Sequence, residues 1–251
     1  MPLTVLVTGA SRGIGKATAL LAGARGWNVG VNYLHSAAAA EETVTSIQAS
    51  GGKAVALQGD MSQEQDVLQI FDAMEQIFGP LHGVVVNAGV TAPIMQLAEM
   101  SAERLRSVFE INIFGAYLCA REAARRLPAK TPGEKARDRS IVSISSAAAR
   151  LGSPNEYVDY AGSKGAIDTL TVGLSKELGP KGVRVNGVRP GIIRTDIHGL
   201  SGDPGRVERL GGAAPLGRAG EAEEVAEAII WLASPQASYT TGSIIDVAGG
   251  R

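Results

Sequence analysis

Thr4-Val5-Leu6-Val7-Thr8-Gly9-Ala10-Ser11-Arg12-Gly13-Ile14-Gly15 is the stretch on which the reading of this chain turns. Thr4–Val7 has the β-branched and aliphatic content of a short buried strand, and after the glycines Ala17, Leu20 and Leu21 resume at helical spacing. A glycine turn between a strand and a helix lets backbone N–H groups approach a pyrophosphate, and the positive end of the helix favours that charge. The spacing is Gly9-x3-Gly13-x-Gly15, which differs from the common Gly-x-Gly-x2-Gly fingerprint. Its place on the first strand gives it weight, so Gly9, Ser11, Arg12, Gly13, Ile14 and Gly15 are the first cofactor-binding candidates.

Working outward, short β-branched runs alternate with longer helical patterns. Strands are expected at Thr4–Val7, Asn28–Asn32, Ala54–Gln58, Gly83–Val86, Ser140–Ile144, Arg184–Val188 and Ser243–Val247. Helices are expected at Gly13–Arg25, Ala37–Ser50, Glu64–Phe78, Ala102–Leu127, Tyr157–Gly179 and Ala222–Ala233. This order predicts one α/β domain over residues 1–251, a Rossmann fold whose doubly wound parallel sheet of about seven strands carries helices on both faces. Pro128–Arg139 reads as an exposed loop. Gly191–Arg218, interrupted at Gly199, Gly202, Pro204, Gly205, Gly211 and Gly212, reads as a substrate lid.

Composition sets the function classes aside. The 251 residues are 45% hydrophobic and 20% charged, enough to bury a sizeable core. A net charge of −1 offers no electrostatic excess for nucleic acid or an anionic membrane, so small molecules or copies of the chain are the expected partners. Cys119 stands alone and His35, His82 and His198 lack ligand spacing, so no disulfide and no metal site are expected. With no signal-like or membrane-length apolar run, the expected location is the cytoplasm.

Two further places carry chemistry. After the second strand come Asn32, Tyr33, Leu34, His35 and Ser36, with no carboxylate to repel a 2′-phosphate; Arg12, Asn32 and Ser36 are read as its contacts, which favours NADP over NAD. Asp60 follows the third strand and is read either as a cofactor contact or as an N-cap-type residue. Asn87-Ala88-Gly89 closes the fourth strand with small residues that admit a cofactor, although Asn87 equally serves to tie strands together. In Tyr160-Ala161-Gly162-Ser163-Lys164 the tyrosine and lysine share a helix face, preceded by Ser145-Ser146 at the end of the fifth strand. An ammonium fixed beside a phenol stabilises the phenolate, so Tyr160 is expected to exchange a proton with a substrate oxygen.

Together these pieces resemble the short-chain dehydrogenase/reductase family over essentially the full chain, and within it bacterial sugar (glucose) dehydrogenase-like members. The resemblance implies that Tyr160 is the acid/base, that Lys164 lowers its pKa and binds the nicotinamide ribose, and that Ser146 bonds the substrate oxygen. It further implies a water held by Asn112 in a relay through Lys164. Asp60, Met61, Asn87, Ala88, Gly89, Pro190, Gly191, Ile193 and Thr195 complete the implied cofactor contacts. Two departures stand out: family members often place the serine thirteen residues before the tyrosine, at Ala147 here, and Val86 replaces a usual asparagine. Ser145 remains an alternative to Ser146.

The expected activity is hydride transfer between a nicotinamide and a carbonyl or secondary alcohol, a sugar or polyol among the candidates. A 3-oxoacyl-carrier-protein reductase, docking through Arg125, Arg126 and Lys181, is one alternative; a non-catalytic NADP-binding sensor is another. Apolar residues around the helices after Asn112 and Tyr157 lead to the expectation of a homotetramer, or a dimer.

Overall fold

A computed structural model describes residues 2–128, 139–195 and 205–251. The exposed loop expected at Pro128–Arg139 therefore lies almost wholly outside the described residues, as do His198 and the middle of the expected lid.

The inner strands of the sheet are valine-rich and buried on both faces: β1 Thr4–Val7, β2 Asn28–Tyr33, β4 Gly83–Val86, β5 Arg139–Ile144 and β6 Val183–Pro190, while β3 Lys53–Gln58 at the edge is only partly buried. Two short strands, β7 Ile193–Arg194 and β8 Gly220–Glu221, pair with each other, and β9 Ile244–Val247 returns to the main sheet. Seven strands run in the order β3-β2-β1-β4-β5-β6-β9, all parallel. The register sets Val5 between Val29 and Gly83. Because β2 and β3 lie on one side of β1 and the later strands on the other, the chain reverses direction between β1 and β4. In open α/β sheets ligands bind outside the strand carboxyl ends at that reversal.

Each face has its own core. Helices α1 Gly13–Ala24 and α2 Ala37–Ala49, with the late helix Ala222–Ala233, pack Ala22, Ile47, Ile229 and Ile230 against one face. On the other, α3 Glu64–Phe78 and the helices at Ala116–Arg126 and Val158–Leu178 contribute Phe71, Met74, Leu118 and Ile167. Cys119 sits in this second core, where burial pushes its thiol up to about 12, so it is a packed and unreactive side chain.

One expected element differs. In place of a single helix over Ala102–Leu127 there are α4 Ala102–Phe109, a π-helical turn at Glu110–Gly115, and α5 Ala116–Arg126. The turn ends where α5 lies hard against the loop after β3: a Cβ on Gly115 would come within 3.0 Å of the Met61 carbonyl oxygen. The widened turn also carries Asn112 onto the backbone of Val90. Beyond β5 the chain makes the single turn α6 Ala148–Leu151 before α7 Val158–Leu178; α8 Arg206–Gly212 and α9 Ala222–Ala233 follow β7 and β8 respectively.

Candidate active site

The site forms where β4, β5 and β6 end above α7. Tyr160 and Lys164 lie one turn apart on α7, and the lysine Nζ stands 5.6 Å from the tyrosine ring centroid. Lys164 is 5% exposed, and its Nζ donates to the Ile144 carbonyl oxygen at 2.8 Å. Ser146 and Tyr160 line the same cavity, and the serine hydroxyl is near enough to the phenol to hold its pKa down. Ser145 does not compete for that role: its buried Oγ donates to the Lys164 carbonyl oxygen at 3.1 Å and anchors α7 to β5. At the start of α6, Ser146 Oγ accepts from Ala148 N–H at 3.1 Å.

The electrostatics differ from the expected direction. Burial lifts Tyr160 above its ordinary value, and the Ser146 hydroxyl offsets this only in part. Lys164 is itself depressed to about 8, because burial outweighs the support of the Asp168 carboxylate one turn along. The pair as it stands therefore favours a neutral phenol and a weakly held ammonium proton. Such a tyrosine carries its proton near neutral pH.

Asn112 is 1% exposed and nearly saturated. Its Oδ1 accepts from Val90 N–H at 2.8 Å, and its Nδ2 donates to Val90 O at 2.9 Å and to Ser163 Oγ at 3.1 Å. Its oxygen nonetheless borders the site, since a Cβ built on Gly89 would lie 3.2 Å from Asn112 Oδ1 and 3.5 Å from Lys164 Nζ.

At the cofactor end, Gly9 and Gly13 adopt φ of 62° and 54°, a region that side chains avoid. A Cβ on Gly15 would fall 2.3 Å from the Gly9 carbonyl oxygen, so the turn closes only with glycine there. Asn87 ties this turn to β4, its Nδ2 donating to Thr8 O at 2.8 Å and Gly9 O at 3.1 Å. Arg12 precedes α1 without capping it, and the first turn holds no acidic side chain. Those uncapped N–H groups and left-handed glycines fit the pyrophosphate of a dinucleotide.

Asn32 requires a correction. It is 2% exposed; its Oδ1 accepts from Gly9 N–H at 3.1 Å, and its Nδ2 donates to Leu57 O and Gly59 O at 3.2 and 3.1 Å. It braces the glycine turn against β3 and has no free donor for a phosphate. Arg12 and Ser36 are exposed and make no side-chain hydrogen bond among the described residues. Asp60 caps no helix either: its Oδ1 accepts from Ser62 N–H and Oγ, while Gln63 holds the N-cap of α3. Met61 is buried in the second core.

A cavity of about 480 Å³ joins the two ends, lined among others by Ile14, Asn87, Gly89, Ser146, Tyr160 and Lys164. Pro190, Gly191, Ile193 and Thr195 close one wall, and Thr195 stands 3.5 Å from where a Gly13 Cβ would be. The model of the enoyl-(acyl carrier protein) reductase family matches residues 9–251.

The chain belongs to the short-chain dehydrogenase/reductases.

It is similar to the uncharacterized oxidoreductase YgfF of Escherichia coli, at 51% identity over 246 residues covering 98% of both chains. It is 37% identical to a 3-oxoacyl-[acyl-carrier-protein] reductase of Synechocystis over 98% of this chain and 95% of the other. An L-rhamnose 1-dehydrogenase (NAD(P)(+)) of a Sphingomonas species is 36% identical over 98% of this chain and 95% of its own. Among solved structures, a short-chain dehydrogenase of Burkholderia cenocepacia in complex with NADP superposes with a TM-score of 0.89 at 30% identity, covering 99% of this chain and 97% of the other. The protein is accordingly an oxidoreductase of hydroxyl and carbonyl groups. Three features of this dehydrogenase/reductase site escape a sequence reading. Ser163 holds Asn112, the Thr91 hydroxyl is buried against the cavity without a hydrogen-bond partner among the described residues, and Glu156, Arg206 and Arg251 also line the cavity. Ser163 does lie within the quoted Tyr160–Lys164 run; the arginines are brought in from distant positions by the fold alone.

Proposed function

We propose that this protein is an NADP-preferring dehydrogenase/reductase that interconverts a carbonyl compound and its secondary alcohol, with sugars or polyols as the leading class. The observation that carries it is that Tyr160, Ser146 and Lys164 line one cavity together with Ile14 of the glycine turn. Gly9, Gly13, Ile14, Gly15 and Arg12 would hold the diphosphate end, while Asn87, Gly89, Ile193 and Thr195 would hold the nicotinamide end. The bound dinucleotide supplies the hydride acceptor or donor. In reduction, Tyr160 Oη gives its proton to the carbonyl oxygen, Ser146 Oγ holds that oxygen in place, and Lys164 balances the phenolate left behind.

Preference for NADP rests on exposed Arg12 and Ser36 and on the lack of any acidic side chain at the end of β2. Docking of an acidic carrier protein is disfavoured, since Arg126 is held by Glu122, Asp72 and Glu75, and Arg125 by Glu122. A silent sensor role would leave the Tyr160–Ser146–Lys164 arrangement without purpose.

A panel of ketones, aldehydes, sugars and polyols, followed by NADPH absorbance in both directions, tests this reading. Tyr160→Phe should lower turnover about 10²–10⁴-fold with cofactor affinity kept, as expected for loss of a general acid. A variant as active as the wild type would remove Tyr160 from its role.

A further inference from the structure

The charges around the outer cavity do not cancel. Glu156 is consumed by Arg206, whose Nη1 and Nη2 donate to its two carboxylate oxygens at 2.9 and 2.7 Å. That arginine is 3% exposed, with its guanidinium 4.9 Å from the Tyr157 ring centroid. Glu156 accordingly sits below the usual carboxylate range, through Arg206 first and with added charge from Arg251 and Arg209. Asp168 and Asp246 are taken as well, by Arg189 at 2.8 and 3.6 Å, and Asp246 also by Arg150 at 3.2 Å. Arg251 lines the same cavity, and its Nη1 is enclosed with no hydrogen-bond partner among the described residues.

The segment that carries Arg251 is firmly placed. Its N–H donates to Ala248 O at 3.2 Å, its carbonyl oxygen accepts from Arg150 Nη2 at 3.0 Å, and Leu216 N–H donates to Gly249 O at 3.1 Å. Ala248 packs so closely under Gly191 that a Cβ there would come within 2.7 Å of its Cα. An enclosed guanidinium N–H without a partner is costly, and an anion that accepts from it recovers that cost.

We propose that Arg251, with the Arg206–Glu156 pair behind it, forms an anion subsite of the substrate cavity. The substrate is then a carbonyl or secondary-alcohol compound that also bears a carboxylate or phosphate away from the reacting carbon, sugar acids and sugar phosphates included. This rests on the oxidoreductase reading above and narrows its substrate class.

The test is a set of paired substrates, each oxo- or hydroxy-carboxylate against its methyl ester and each sugar phosphate against its neutral sugar, assayed with wild type and Arg251→Gln. The wild type should favour the anionic member in kcat/KM by about tenfold or more, and the ratio should fall toward one in the variant. Equal turnover of both members by the wild type, or an unchanged ratio in the variant, overturns the subsite. In parallel, succinate and inorganic phosphate are titrated into the NADP-bound protein by calorimetry. Binding by the wild type that Arg251→Gln loses supports the subsite and names the preferred anion. No binding of either probe by the wild type overturns it. Failure of the oxidoreductase reading looks different: no compound of either kind is turned over, while binding of the anions is still decided by the titration.

Discussion

At the residue scale, Lys164 carries a measurable consequence of its burial. Its folded value of about 8 lies below the ordinary lysine value, so between about pH 8 and 10.5 the unfolded chain holds a proton that the folded one has lost. Stability from this group therefore rises with pH across that window and is flat below it, where both states are charged. Urea unfolding of wild type and Lys164→Met at pH 7 to 10 should show the wild type gaining relative to the variant, by on the order of 3 kcal/mol at the top of the window. A constant difference would show that the ammonium is not desolvated. The same scale separates Arg12 from Asn32. Arg12→Ala should weaken NADPH more than NADH in fluorescence titration, because only NADPH has the phosphate. Asn32→Asp should cost about 2–4 kcal/mol in unfolding experiments, since a carboxylate oxygen would replace the amide that bonds Leu57 O and Gly59 O. An Asn32→Asp protein of wild-type stability with reversed cofactor preference would restore Asn32 as a cofactor contact.

At the scale of elements, the π-helical turn between α4 and α5 is the piece that brings the sheet's far side into the site. Asn112 within it satisfies both backbone groups of Val90, in the loop after β4, and reaches Ser163 on α7. Asn112→Ala leaves two part-buried backbone groups of Val90 without this partner, at up to about 1–3 kcal/mol each. Circular-dichroism melts should therefore register a large loss of stability alongside any loss of rate. A variant that keeps its melting temperature but loses turnover would point instead to the water-relay role. The periodicity of Ala102–Leu127 made one continuous helix the natural reading, because a π turn keeps helical dihedrals and differs only by the packing that demands it. Gly115 was visible in the sequence, but its contact with the Met61 carbonyl was not.

For the whole molecule, exposure sorts the apolar residues on which assembly was argued. Leu118, Cys119 and Ile167 are core, whereas Phe114 and Tyr117 are 50% and 42% exposed beside Phe109. On α7, Val172 is exposed, and Cβ atoms at Gly162, Gly165 and Gly173 would meet nothing within 4 Å, so that face is flat and unoccupied. Among the described residues β9 pairs with β6 alone and forms an edge of the sheet. We expect a homotetramer, or a dimer, from light scattering, and Phe114→Glu with Tyr117→Glu should shift it toward smaller species. A monomer at micromolar wild-type concentration would end this expectation.

What the sequence determined by itself is whatever local chemistry dictates. The alternation of strand and helix, the glycine turn, and the one-turn spacing of Tyr160 and Lys164 all follow from periodicity and from residues adjacent in the chain. Tertiary structure alone decided which polar side chains are free. Ser145 and Ser146, or Asn32 and Ser36, are equivalent in a string; burial commits Ser145 to the Lys164 carbonyl and Asn32 to β3, leaving Ser146 in the cavity with Tyr160 and Ser36 exposed. It also set the direction in which Tyr160 and Lys164 shift, because desolvation depends on what surrounds a group and not on its spacing. The outer cavity shows the same limit: Glu156, Arg206 and Arg251 meet only because the sheet carboxyl ends gather segments separated by tens of residues.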